Sequence, residues 1–392
     1  MINQLIGTLL KTNRLITGGM FFFSAPGHML PELDYLLRKV LTDRALASRH
    51  PLVFLTPTPF SQVMAELMKK SGVDVLVDDK AFHVAREVQL FYPQLVTDVG
   101  IAHCKLIPPA GPRHVSYSSP LHLAWALTWE GLAAQWCDIY KAWNITPGRF
   151  PLRDALDQLP GDPEFMGLVR RKKYAVLQRK ARVVNGTVRI LDDAFFEPTL
   201  ARLKDEGYDI MLGGREPMLD VYRRYGVYDY PSSKFVSPRN DFYLFRYAAL
   251  GITSPSGAGF FCDTLGVPHC QYAPWTLQPH PGADTIMVPS RLRARATGKV
   301  LTFSEQVGAF KRCYRPEVGV DCFVSEWYED VPPTAGDLTA AVGELICAGK
   351  DRSEAARADE LAIRELDSSG MWKTTASRMS STFLAEHPEY VA

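Results

Sequence analysis

Short apolar runs alternate with amphipathic segments of helical length, first over residues 16–77 and again over 173–271, and this alternation restricts the fold more than any other feature. In the first series Ile16–Ser24 reads as a buried strand ending at Ala25-Pro26-Gly27-His28. Pro31–Leu41 follows with Leu33, Leu36, Leu37 and Val40 at helical spacing. Pro51–Thr56 is a second strand, Ser61–Ser71 a second helix ended by Gly72, and Val73–Val77 a third strand. In the second series Lys173–Gln178, Tyr208–Leu212, Gly251–Thr253 and Val267–Gln271 read as strands. Helices are expected over Phe195–Glu206, Asp241–Leu250 and Phe260–Leu265, with a turn-rich stretch over Tyr228–Ser237. Strand–helix repetition of this length predicts parallel sheets covered by helices.

Between the two series, residues 80–170 carry many aromatics and an expected helix over Leu121–Ile139. The stretch Pro147–Pro163 is rich in Pro, Gly and Asp, which places the inter-domain connection there or just after it. The expected class is α/β, with two Rossmann-like domains over residues 1–165 and 166–335, and C-terminal helices over 336–392. In that last part residues 351–367 read as an exposed helix and Met371–Leu384 as a more amphipathic one.

The 392 residues are 46% hydrophobic and 22% charged with a net charge of +1, so two ordinary cores are available. No broad basic face for nucleic acid is implied. Seven scattered cysteines without a CxxC pair argue against a disulfide framework or a cysteine zinc site, and a reducing, cytoplasmic setting is expected. The start of the chain lacks the basic–apolar–small pattern of a secretory leader, and no run reaches the ~20 apolar residues of a membrane span. Peripheral contact with a membrane stays open. There is no P-loop, GxSxG, HExxH or strand-flanked DxD motif, so no metal is expected. Asp78-Asp79, Asp192-Asp193 and Glu329-Asp330 read as turns and solvated faces.

The segment Gly251–Gln271 carries the most chemistry. A strand end delivers Ser254, Ser256, Gly257 and Gly259 to the start of a helix, where small residues let backbone N–H groups approach an anion. Ser256 can add a hydrogen bond to a phosphate oxygen. The alternative is that Ser-Pro-Ser-Gly only caps the helix.

This loop, its short helix and the Leu265-Gly266-Val267-Pro268 that precedes the next strand resemble the donor-site signature of GT-B glycosyltransferases, above all the heptosyltransferase-like and fucosyltransferase-like branches. The chain is also similar to a bacterial family of GT-B-type glycosyltransferases. That likeness lies mainly in Tyr174–Arg179, Gly207–Arg215, Asp229-Tyr230, Ser256-Gly257 and Leu301–Glu305, and in Pro26-Gly27-His28 before an acidic helix. It implies two domains facing a cleft, with the C-terminal helices packing back across it. It further implies metal-independent transfer of a sugar from a nucleotide-diphosphate donor to a glycan, lipid-linked or small-molecule hydroxyl acceptor, without a cofactor.

The site residues it implies are as follows. Arg179, Lys180, Gly214 and Arg215 join Ser254, Ser256, Gly257 and Gly259 around the diphosphate, because an Arg fork matches phosphate oxygens. The alternative for Arg170–Arg182, with seven basic residues in thirteen, is a solvated or RNA-facing surface. His28 is the candidate catalytic base, with Glu32 and then Asp34 as carboxylate alternatives. Glu305 would hold ribose hydroxyls, and Trp275 or Tyr272 would stack on base or sugar; a cap and core aromatics are the plainer readings. Asp263 is open between the same two roles. Two rivals remain: a nucleotide-sugar epimerase or hydrolase of the same fold, and a non-catalytic subunit of a glycan-assembly complex.

Overall fold

The structure, a computed structural model, describes residues 11, 16–17, 26–55, 57–78, 96–97, 129–179, 193–216, 218–273, 278–313, 327–347 and 354–392. The chain forms two compact units, Met1–Pro160 and Gly161–Ala392.

In the first unit, strand β1 (Ile16–Thr17) is followed by helix α1 (Pro26–Thr42), α2 (Arg44–Ser48), β2 (Leu52–Leu55), α3 (Pro59–Lys70), β3 (Asp74–Val77), β4 (Val96–Thr97), α4 (Trp129–Ile145) and α5 (Pro151–Leu156). The sheet is parallel, in the order β3-β2-β1-β4. Helix α3 starts where the Thr58 hydroxyl accepts from the Ser61 amide with Pro59 at the first helical position, a pre-organised start. It buries Val63, Met64, Leu67 and Met68. Helix α1 begins at Pro26, not at Pro31, so Pro26-Gly27-His28 is a helical turn and not the end of a strand, and Pro31 lies inside the helix. The rest of the expected strand Ile16–Ser24 lies outside the described residues.

A buried polar knot holds this unit. Arg38, 1% exposed, donates to Asp34 Oδ2 at 2.6 Å, to the Thr146 hydroxyl at 2.6 Å and to the Arg149 carbonyl at 2.8 Å. Its guanidinium lies 3.6 Å from the centroid of the Trp143 ring. The donor fork is therefore widely matched, which a buried charge requires. Asp34, read from the sequence as a spare carboxylate for chemistry, is the structural partner of Arg38.

The second unit runs through α6 (Pro163–Arg170), β5 (Tyr174–Gln178), α7 (Glu197–Asp205), β6 (Asp209–Leu212), α8 (Asp220–Arg224), α9 (Pro238–Arg246), β7 (Leu250–Thr253), α10 (Gly257–Leu265), β8 (His269–Tyr272), β9 (Thr285–Val288), β10 (Arg291–Ala294), α11 (Phe303–Cys313), β11 (Tyr328–Val331), α12 (Ala335–Ile346), α13 (Glu354–Leu366), α14 (Met371–Thr374), β12 (Arg378–Met379) and α15 (Ser381–Glu386). Six strands form a parallel sheet in the order β12-β9-β8-β7-β5-β6, and β10 pairs antiparallel with β11. Strands β5, β7, β8 and β9 are buried at every position, as a sheet covered on both faces demands. Each fully buried aliphatic side chain there contributes about 1.5–3 kcal/mol.

The C-terminal segment corrects one expectation. Met371–Leu384 is not a single helix: it breaks into α14, the edge strand β12 and α15. Glu344 on α12 decides this, accepting from Arg378 Nη1 (2.6 Å), the Ser380 hydroxyl (2.6 Å) and the amides of Ser381 (3.1 Å) and Thr382 (2.8 Å). One carboxylate thus satisfies the start of α15 and the side chain of the strand before it. The helix expected over 351–367 is present as α13.

Candidate functional site

The parallel sheet of the second unit carries unusually polar residues in fully buried strands: Gln178 on β5, Thr253 on β7, His269 and Gln271 on β8, and Thr285 on β9. Buried polar groups are costly unless matched, so their partners define where this unit departs from a plain core. They form two groups, one at the carboxyl ends of β5 and β7 and one below helix α10.

The first group is organised by Gln178, the last residue of β5 and 6% exposed. Its Oε1 accepts from the Ser254 hydroxyl at 2.9 Å, the Ser256 hydroxyl at 2.8 Å and the Ser254 amide at 3.3 Å. Its Nε2 donates to the Arg179 carbonyl at 2.7 Å, and its own carbonyl accepts from the Tyr272 hydroxyl at 3.1 Å. One amide therefore joins β5, β7 and the start of α10. Gly214, after β6, adopts a φ of +88°, and a Cβ there would come 3.3 Å from Gln178 Cγ. A side chain at this position would be strained and crowded at once.

Ser256 is the N-cap of α10, its hydroxyl oxygen accepting from the Ala258 amide at 3.3 Å, with Gly257 the first helical residue. The capping alternative is thus realised. It coexists with an anion site, because the first-turn amides still point out of the helix end. The serine hydroxyls, however, turn toward Gln178 and not away from the protein.

The basic residues take different places. Arg179 is buried, its guanidinium 5.9 Å from the centroid of the Tyr222 ring. Arg215 is half-exposed and gripped by Asp241, Nη2 to Oδ2 at 2.8 Å and Nη1 to Oδ1 at 3.2 Å. Asp241 also accepts from the Tyr230 hydroxyl at 2.7 Å. Lys180 and Trp275 lie outside the described residues, as does the side chain of His28.

Tyr272 and Glu305 take the plainer of the two roles left open for each. Tyr272 does not offer a face for stacking: it is 2% exposed and its ring lies 5.4 Å from Phe196 and 6.0 Å from Phe195. Glu305 sits in the first turn of α11, bound to Lys299 Nζ at 2.5 Å and to the Thr302 amide at 3.1 Å. The Lys299 bond holds its carboxyl below the usual range; its geometry is that of a cap. Asp263, open between a ligand role and a plainer one, is a buried side chain at the centre of the second group.

That second group was not visible in the spacing of its members. Asp263 Oδ2 lies 2.5 Å from His280 Nδ1, whose Nε2 meets Gln271 Nε2 at 2.5 Å. Thr285 donates to Asp263 Oδ1 at 3.2 Å and sits 3.3 Å from His269 Nδ1. Burial pushes His269 down to about 4. Gly259 on α10 packs on the His280 ring, and a Cβ there would collide with it.

In the first unit, Glu32 is 2% exposed, and among the described residues neither carboxylate oxygen has a hydrogen-bond partner. Burial raises its carboxyl well above the ordinary range. It stands four residues after His28 on α1, so the two positions share a helix face.

No family model matches the chain, and no curated protein matches it by sequence. Among solved structures it is similar to the iron-containing dodecameric glycosyltransferase TibC of enterotoxigenic E. coli, with 12% identity over 69% of this chain and 61% of that one, at a TM-score of 0.40. The match therefore spans less than two thirds of TibC. It is also similar to E. coli ADP-heptose lipopolysaccharide heptosyltransferase II, with 9% identity over 71% and 89% of the two chains and a TM-score of 0.36. A 2-epimerase-type structure from Listeria monocytogenes aligns at 10% identity over 87% and 98%, with a TM-score of 0.33. No described helix is long and apolar enough to cross a membrane.

Proposed function

We propose that this chain is a glycosyltransferase that takes a sugar from a nucleotide-diphosphate donor held at the carboxyl ends of β5, β6 and β7. The observation that supports this most is the convergence of Gln178, Gly214, Ser254 and Ser256 on the amino-terminal turn of α10. Open parallel sheets bind ligands at this end of their strands, and a helix amino terminus favours a diphosphate.

In this reading the first-turn amides of Gly257 and Gly259 receive a phosphate, and the Ser256 hydroxyl turns from Gln178 to donate to it. Arg215 leaves part of its grip on Asp241 to meet it, and fixed positive charge there stabilises the leaving diphosphate as the glycosidic bond breaks. The diphosphate charge is thus met by protein groups without a metal. His28, in the first turn of α1, is the proposed base that removes the acceptor hydroxyl proton. Glu32, one turn further on the same face, is the proposed positioning carboxyl for that imidazole.

The test is thermal stability of the purified chain with each common nucleoside diphosphate. Ligand at ~100 times its dissociation constant stabilises a fold by about 2.7 kcal/mol. The stabilisation should fall in Arg215→Ala and persist in His28→Ala, in which sugar transfer is lost. No stabilisation by any nucleotide would refute the donor site.

A further inference from the structure

We propose that Asp263, His269 and His280 form a closed binding site for one divalent first-row transition ion, zinc by its donor set. The site lies within the second unit and is independent of the glycosyltransferase reading. It draws one residue from α10, one from β8 and one from the segment before β9, and the three side chains are all buried.

One ligand atom from each residue lies within 4.8 Å of the others. Ligands 2.0–2.1 Å from zinc stand roughly 3.3 Å apart in a tetrahedron. Here His269 Nδ1 is 3.9 Å from Asp263 Oδ1 and 3.3 Å from Thr285 Oγ1, which is itself 3.2 Å from Asp263 Oδ1. The contact of His280 Nδ1 with Asp263 Oδ2, at 2.5 Å, must widen to admit an ion, and the 3.9 Å between His269 Nδ1 and Asp263 Oδ1 must shorten. The Thr285 hydroxyl borders the fourth position.

The hydrogen-bond accounting points the same way. Thr285 gives its proton to Asp263, so it faces His269 Nδ1 with a lone pair. If Nδ1 carries the ring proton, Nε2 keeps a buried lone pair with no donor; among the described residues Nε2 has no hydrogen-bond partner. If Nε2 carries the proton, two lone pairs meet at Nδ1. A cation at Nδ1 removes the second conflict. At His280 the Gln271 amide, turned about its own axis, would accept from Nε2–H and leave Nδ1 for the ion.

Charge and space complete the case. Among the described residues Asp263 pairs with these two imidazoles and with no lysine or arginine. Two neutral imidazoles and one carboxylate suit a borderline ion such as zinc, and they suit calcium or magnesium poorly. Gly282 leaves the site open: a Cβ there would stand 2.6 Å from Asp263 Oδ1 and 2.9 Å from Thr285 Oγ1. The bound ion would clamp α10 to β8 beneath the loop Ser254–Gly259.

The decisive experiment uses the unmodified full chain, purified without metal-affinity resin. Elemental analysis should find about one transition ion per chain. Chelator-treated protein should take up Co²⁺ with the visible absorption of a four-coordinate site, reversed by Zn²⁺. Gly282→Ala, which keeps every ligand, and His269→Ala should each weaken Zn²⁺ binding at least ~10-fold. His387→Ala removes a member of the other carboxylate–imidazole cluster, Asp337–Glu386–His387, and should leave that binding unchanged. A folded wild-type chain that takes up neither Zn²⁺ nor Co²⁺ overturns the proposal. So does full uptake in His269→Ala, or its loss in His387→Ala alone.

Discussion

Replacing Gln178 with Leu separates the structural role of the buried amide from every other property of the site. The two side chains are close in volume, so the cavity term is small and the change falls on hydrogen bonds. Three donors lose Oε1: the Ser254 hydroxyl, the Ser256 hydroxyl and the Ser254 amide. The amide keeps its bond to the Gln178 carbonyl at 3.2 Å, so it contributes little. Ser254 is 1% exposed, and a buried hydroxyl left without a partner costs about 1–3 kcal/mol. Ser256 is only half-buried, so water compensates part of its loss, and the Arg179 carbonyl loses one donor. The expected total is about 2–4 kcal/mol, or about 2–4 °C of melting temperature for each kcal/mol in a unit of this size. Urea unfolding followed by circular dichroism, with the midpoint of the second unit's transition as readout, measures it. Ser256→Ala is the companion variant and should cost only the cap, about 1 kcal/mol. If Gln178→Leu shifts stability by less than about 0.5 kcal/mol, the organising role assigned to Gln178 is wrong.

Other predictions follow from buried charge and close packing. Arg38→Met strands the Asp34 carboxylate in the first unit and should destabilise it by about 3–5 kcal/mol, the cost of an orphaned buried partner; calorimetry of that unit's transition reads it. Glu32 has a raised carboxyl pKa in the folded chain, so the folded state binds more protons than the unfolded state above the unfolded value of ~4.3. Its contribution to stability is present in full below that value and is lost as pH rises toward the folded pKa. Glu32→Gln should therefore flatten stability against pH and make the chain more stable than wild type at pH 8, while sugar transfer falls; an unchanged pH profile would refute the account. Gly259→Ala pushes a Cβ into the His280 ring and should cost about 1–3 kcal/mol by overpacking, with melting temperature as the readout. Arg215→Ala, at a half-exposed pair, should alter stability by less than about 1 kcal/mol while weakening nucleotide binding at least tenfold by calorimetric titration.

Much of the strand and helix order was open to sequence reasoning. Strands β2, β3, β5, β6, β7 and β8 and helices α3, α7 and α10 lie close to where apolar period and capping residues put them, because each obeys a local rule: a short buried run, a Ser or Thr cap, a glycine stop. The loop Ser254–Gly259 was legible for the same reason. Where local rules conflicted with long-range contacts, the sequence reading failed. Pro31 looked like a helix start, yet the helix begins a turn earlier at Pro26. Met371–Leu384 has a helical pattern, yet Glu344, far away in sequence, captures Arg378, Ser380, Ser381 and Thr382 and lays down a strand.

The site divides along the same line. Residue types at a strand end, small and hydroxyl-bearing, were enough to mark Ser254, Ser256, Gly257 and Gly259. The partner that organises them, Gln178, ends a strand distant in sequence and reaches them only because β5 and β7 pair in parallel register. Asp263, His269 and His280 match no ligand spacing, since a helix, a strand and a loop set their separation. What this sequence determined by itself is the alternation of elements and the chemistry available at strand ends, because both depend on neighbours along the chain. Which carboxylates are buried, which arginines are already matched and which imidazoles meet one anion were decided by the tertiary structure, because desolvation and pairing are properties of what surrounds a group in space.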